Sequence, residues 1–186
     1  MHRQELSPSD HWRRPLWLAL LVASSVIFTL GFACAVPLAA FAGAAALTLP
    51  RRQALLLIVA VWLANQVVGF AMLSYPWDAE TLAWGGALGI VALIATAAAQ
   101  AAAPRLLHAG TAVAALGAFA AAFSVYEGAL FVISVMVGAT ADFTPAIVAW
   151  ILAMNVGAMV GLMLLHRLGE LAGLAPTLLP MRARPA

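Results

Sequence analysis

The sequence predicts an all-α integral membrane protein with six transmembrane helices, of which the second is short. The composition, one overlong apolar run and the placement of arginine predict this class. Of the 186 residues, 65% are hydrophobic and 9% are charged, against about 25% charged residues in soluble domains. We therefore expect a lipid bilayer as a partner and no nucleic acid. Helices are expected because each backbone polar group in lipid needs a partner within its own segment.

The first apolar run is too long for a single crossing. Residues 15–50 would form a helix of about 54 Å, whereas the hydrocarbon core is about 30 Å thick. A glycine, the single cysteine and Pro37 interrupt this run. We predict two helices that meet within residues 31–37, at residues 16–32 and 35–49. Four later apolar segments predict helices at residues 53–73, 81–101, 108–137 and 145–166.

Arginine sets the predicted orientation. With six crossings all nine arginines fall on one side, whereas fusing the first two helices would split them. Since arginine favours the cytoplasmic side, both termini are predicted to be cytoplasmic. Residues 1–14 form a polar leader, residues 15–168 the membrane domain and residues 169–186 a cytoplasmic tail. The arginines are Arg3, Arg13, Arg14, Arg51, Arg52, Arg105, Arg167, Arg182 and Arg184.

The sequence contains no lysine. This excludes a P-loop nucleotide site, whose lysine holds the phosphates, and it excludes a Schiff-base lysine. Any ATP hydrolysis that drives this protein therefore takes place on another chain. No catalytic triad is present, and we expect a binding or transport protein rather than an enzyme, without a cofactor of its own.

Glu127 is the most costly residue in the predicted spans. A carboxylate at this depth costs about 2.5–3.5 kcal/mol on insertion scales, which favours a functional role. It is a candidate ligand contact, a proton carrier, or a buried partner of Asn65 or Asn155. These two amides are themselves either hydrogen-bonding groups between helices or ligand contacts. Tyr126 precedes Glu127 but points about 100° away around the helix.

The predicted outer links carry the chemically varied residues. Tyr75 and Trp77 lie in one link, and Asp142 and Phe143 lie in another. They form either the wall of an outward-facing binding site or simple interface anchors. Cys34, near the first outer turn, is either a small hydrophobe or a soft ligand for a metal.

Two other functions are open at this point. His108 and His166 lie at inner helix ends, where they are candidate axial ligands of a b-type haem, in a haem- or quinone-linked membrane redox protein. A membrane-complex assembly factor, binding a larger complex through glycine and alanine faces, is the other alternative.

The layout resembles the substrate-binding S components of energy-coupling-factor vitamin transporters. The shared features are a first helix, a short proline-containing second helix, the basic turn LTLPRRQALLL, a long third helix and six spans in all. Within that group the chain looks most like the small proteobacterial cobalamin-uptake proteins of the BtuM type.

The resemblance implies an S-component-like bundle in the bacterial inner membrane that takes up a vitamin, best matched by cobalamin. It implies that Cys34 binds the cobalt of the corrinoid. The BtuM-type proteins act without a dedicated energising module, whereas S components in general work with a membrane coupling subunit and ATPases on other chains. The resemblance therefore leaves such partners open, with Ala19 and Ala23 as candidate contacts of a coupling subunit.

Overall fold

A computed structural model describes residues 10–32 and 36–175 of the chain. All regular structure within these ranges is helical, which confirms the all-α class. Short 3-10 turns, Leu107–Ala109 and Thr140–Asp142, precede the last two helices. The six helices are α1 (Asp10–Phe32), α2 (Leu38–Thr48), α3 (Arg51–Ala71), α4 (Ala79–Leu106), α5 (Thr111–Val137) and α6 (Pro145–Leu171).

Four helices, α3 to α6, are long and apolar enough to cross a membrane. They identify the chain as a multi-pass membrane protein. The apolar part of α1, Pro15–Gly31, and the whole of α2 are shorter. With 11 residues, α2 measures about 16 Å, roughly half of the hydrocarbon core. Six complete crossings stay a prediction.

Three helices extend further than their apolar segments predict, and one of them, α6, continues past residue 166 to Leu171. Helix α1 begins at Asp10 rather than at residue 16, because hydropathy marks the lipid-facing part of a helix and polar residues can continue it. Helix α4 runs through Pro104 to Leu106. The guanidinium of Arg105 donates a hydrogen bond to the carbonyl of Ala101 one turn earlier in the same helix.

The short helix α2 lies at the centre of the bundle. Every residue of Leu38–Thr48 is buried, and α2 contacts α3, α4, α5 and α6. Its alanine-rich sequence permits this, because small side chains let helix backbones approach closely. A Cβ atom at Gly43 would lie 3.2 Å from the Cα atom of Phe119 on α5, so the two backbones nearly touch there.

The two ends of the bundle differ in charge. Gln100 at the end of α4 donates a hydrogen bond to the carbonyl of Arg51 at the start of α3 (3.3 Å), and Trp17 of α1 packs beside Gly169 of α6. We call this the arginine-rich end, with Arg13, Arg51, Arg52, Arg105 and Arg167. The opposite end, here called the acidic end, has Asp78, Glu80 and the turn Thr140–Asp142.

Candidate functional site

Glu127 and Tyr126 lie inside α5 and are both buried. From Phe119, where α5 crosses α2, Glu127 lies about 12 Å further along the helix toward the acidic end. It is the one carboxylate among the buried residues that the structure describes, with 9% of its surface exposed. Within those residues it forms no hydrogen bond or ion pair. Of the three roles left open by the sequence, the pairing of Glu127 with Asn65 or Asn155 is therefore not seen among these residues.

Asn155 of α6 fastens the first turn of α2. Its Oδ1 atom accepts a hydrogen bond from the backbone N–H of Ala40 (3.1 Å). Its Nδ2 atom donates to the carbonyl of Ile151 one turn earlier (3.0 Å). Because the first N–H groups of a helix have no partner within that helix, Asn155 satisfies one of them inside the protein. This is the hydrogen-bonding role that the sequence left open for this amide.

Asn65 is buried on α3, but its Oδ1 atom has no hydrogen-bond partner in the described part of the chain. An amide oxygen in this state accepts a hydrogen bond from any donor that reaches it. Asn65 and Glu127 thus both offer buried, unused acceptors. Within the described residues no hydrogen bond joins these two side chains, which lie on different helices.

An aromatic cluster covers the link between α3 and α4 at the acidic end. The ring of Phe70 meets Tyr75 at 6.1 Å and Trp77 at 4.4 Å between centroids. Gly69 makes room for Tyr75, because a Cβ atom there would lie 2.5 Å from the tyrosine ring. Trp77 is 76% exposed. Tyr75 and Trp77, the candidate binding residues of this link, therefore form a rim on the surface rather than a wall inside the bundle.

The link between α5 and α6 forms a second aromatic contact at the same end. Phe143 lies 5.4 Å from Phe131 between ring centroids. Asp142 is the last residue of the turn Thr140–Asp142. The hydroxyl of Ser134 donates to the carbonyl of Ala139, and the left-handed Gly138 (φ +74°) ends α5. These contacts fix how the chain leaves α5 before the turn that leads to Phe143.

At the acidic end, a backbone hydrogen bond stabilises the ionised carboxylate of Asp78. Asp78 is the N-cap of α4 and accepts a hydrogen bond from the backbone N–H of Thr81 (2.8 Å). That hydrogen bond lowers the pKa of Asp78 below its ordinary value of 3.8. Asp78 is therefore ionised at neutral pH, and the exposed Glu80 follows it two residues later.

Cys34, the predicted cobalt ligand, lies outside the described residues. Within them, no group of three or more His, Cys, Asp or Glu side chains is placed to hold a metal ion. His108 is exposed on the short turn before α5, whereas His166 is buried within α6. The predicted site residues thus form two groups: buried polar residues within the helices and an aromatic rim at the acidic end.

One polar site was not predicted. Trp17, Thr48 and His166 line a small cavity at the arginine-rich end. The sequence offers one local signal, the i,i+4 spacing of His166 and Glu170, whose Nε2 and Oε1 atoms lie 3.3 Å apart. The pairing with Trp17 depends on the fold, since α1 and α6 are at opposite ends of the chain.

No protein-family model, no curated protein and no solved structure matches the chain.

Proposed function

We propose that this protein captures a vitamin or cofactor at the outer face of the bacterial inner membrane and moves it across. Cobalamin or a related corrinoid is the preferred substrate. In this proposal all six helices belong to the membrane bundle, the acidic end faces outward, and the arginine-rich end with both termini faces the cytoplasm.

The observation that carries the proposal is the buried carboxylate of Glu127, which has no hydrogen-bond or ion-pair partner among the described residues. A carboxylate at membrane depth that gains no hydrogen bond from the part of the chain that the structure describes is retained against a cost of about 2.5–3.5 kcal/mol. A substrate with donor groups supplies the missing hydrogen bonds. The edge of a corrinoid ring carries carboxamide groups, whose N–H groups are donors of this kind. Asn65 offers a second acceptor to such groups.

The short central helix α2 also supports a substrate-binding site on the side of the acidic end. Helix α2 reaches only about half-way through a bilayer, and it begins on the side of the acidic end. Irregular backbone at membrane depth is tolerated where it is buried in protein or lines a cavity. The link that precedes α2 contains Cys34. A binding site at the start of α2, with Trp77, Tyr75 and Phe143 at its rim, agrees with this arrangement.

Cys34 has the chemistry to bind cobalt. Thiolate sulfur is a soft ligand for transition metals, and coordination favours the deprotonated thiol. Bound to the cobalt of cyanocobalamin, the sulfur would take the place of cyanide and change the visible spectrum of the corrinoid.

The energy for uptake would come from outside this chain. Without lysine the protein has no P-loop, so a coupling subunit and ATPases on other chains are the proposed partners. Ala19 and Ala23 are exposed on α1, where small side chains would let another membrane helix approach closely.

The test is a binding experiment with purified full-length protein. Incubate wild type, Cys34→Ala and Cys34→Ser with cyanocobalamin, remove free ligand and record visible spectra. We expect wild type to retain corrinoid with a shifted spectrum and both variants to lose the shift. If wild type retains no corrinoid, the cobalamin assignment is wrong. Retention with identical spectra in all three would leave uptake standing and remove the cobalt–sulfur bond.

A further inference from the structure

The arginine-rich end contains a cavity of about 10 Å³ between α1, α2, α3 and α6. This volume is close to that needed for one water molecule and is far too small for a porphyrin. Most of the lining is apolar, including Leu21, Phe41 and Leu57. Three lining residues, one on each of three helices, carry polar groups: Trp17, Thr48 and His166.

Two of these polar groups are buried without a hydrogen bond. Trp17 and His166 are each 2% exposed. Within the described part of the chain, the Nε1 atom of Trp17 and both imidazole nitrogens of His166 have no hydrogen-bond partner. The Nε2 atom of His166 lies 3.3 Å from Oε1 of Glu170, which is within ion-pair range.

We propose that one water molecule occupies this cavity and joins the three helices. It accepts a hydrogen bond from the indole N–H of Trp17 and donates one to an imidazole nitrogen of His166. The two rings lie 5.8 Å apart between centroids in an edge-to-face arrangement. Two hydrogen bonds of about 2.9 Å each are long enough to bridge polar atoms of rings at this separation.

The second hydrogen of the water has an acceptor in Thr48. The hydroxyl of Thr48 donates its own hydrogen to the carbonyl of Ala44 (2.8 Å), so its oxygen keeps lone pairs for the water. The water then makes three hydrogen bonds, which is the usual number for a buried water. It links α1, α2 and α6, and it requires a neutral His166, since a protonated imidazole has no acceptor nitrogen.

The packing around the water is equally specific. A Cβ atom at Gly169 would lie 2.6 Å from Cζ3 of Trp17, so only glycine leaves room for the indole at this place on α6. Trp17 is thereby held against α6 while it lines the cavity. The bound water supplies the missing hydrogen bonds at this contact between α1 and α6.

Nuclear magnetic resonance tests the site directly in full-length protein in lipid nanodiscs. Label tryptophan with ¹⁵N and measure magnetisation transfer between water and each indole N–H, assigning Trp17 with Trp17→Phe. We expect a water cross-peak at Trp17 with opposite signs in NOE and ROE spectra, which identifies a long-lived bound water and not hydrogen exchange. Trp62 is the matched control, because its indole N–H donates to the carbonyl of Gly85 (2.8 Å) and should show no such peak.

Two further variants test the acceptors. His166→Phe and Thr48→Val each remove an acceptor and should weaken or abolish the Trp17 cross-peak, whereas His166→Gln keeps an acceptor and should retain it. Absence of a water cross-peak at Trp17 in wild type would mean that the cavity is dry and would overturn the proposal. So would a cross-peak that is unchanged in both His166→Phe and Thr48→Val. None of these outcomes depends on corrinoid binding.

Discussion

Buried polar residues in this bundle fall into two kinds. Asn155 completes the hydrogen bonding of α2, so its polarity serves the fold. Glu127 is buried on α5, and its carboxylate accepts no hydrogen bond from the described residues. Its charge therefore stabilises no contact that the structure shows. This contrast makes Glu127 the residue that best separates a structural from a functional interpretation.

We expect Glu127→Leu to fold with an equal or higher melting temperature, because it removes a carboxylate that costs about 2.5–3.5 kcal/mol at membrane depth. Under the proposed function, the same variant should retain much less cyanocobalamin, and Glu127→Gln should retain an intermediate amount. Thermal melting in detergent and ligand retention after gel filtration measure the two effects.

Glu80→Gln is the control for this experiment, since it changes an exposed carboxylate at the start of α4. It should alter neither melting nor retention. A large drop in the melting temperature of Glu127→Leu, with Glu127→Gln stable, would instead assign Glu127 a structural hydrogen bond.

At the scale of the element, α2 is unusual in having no exposed face. All of its residues are buried, so it is surrounded by protein rather than by lipid. Four neighbouring helices contact it at once, and this is possible because most of its side chains are no larger than a methyl group. We infer that the volume of the α2 side chains limits how closely the bundle can pack.

Gly43→Leu tests that limit. Because a Cβ atom at Gly43 would already lie 3.2 Å from the backbone of Phe119, a leucine there must push α2 and α5 apart. Overpacking of this kind typically costs about 1–3 kcal/mol, so we expect a clearly lower melting temperature in detergent. Gly157→Leu is the matched control, since a Cβ atom at Gly157 has no neighbour within 4 Å and the variant should melt like wild type. Equal melting of both variants would contradict the close packing of α2.

The sequence predicts the elements well and their arrangement only in part. The length of the first apolar run and Pro37 predict that α1 and α2 are separate and that α2 is short. The central position of α2 was not predicted, because a segment that is apolar all round has no periodicity to show which face is buried. The contact of Trp17 with His166 was not predicted either, because it joins residues far apart in the chain.

At the scale of the whole molecule, the charge difference between the two ends is the basis for orientation. The structure groups Arg13, Arg51, Arg105 and Arg167 at one end and Asp78 at the other. Arginine is retained on the cytoplasmic side of bacterial membranes, so the arginine-rich end is predicted to face inward. The acidic end and its aromatic rim would then meet the substrate first.

Cysteine labelling on intact cells tests this orientation. In a Cys34→Ser background we introduce Arg51→Cys and, separately, Trp77→Cys, two positions with exposed side chains at opposite ends. An impermeant thiol reagent should label the Trp77→Cys protein and leave the Arg51→Cys protein unlabelled, because only the acidic end faces the reagent. After the cells are permeabilised both proteins should be labelled, which controls for reactivity at each position. Labelling of Arg51→Cys but not Trp77→Cys on intact cells would reverse the orientation and, with it, the side from which this protein takes its substrate.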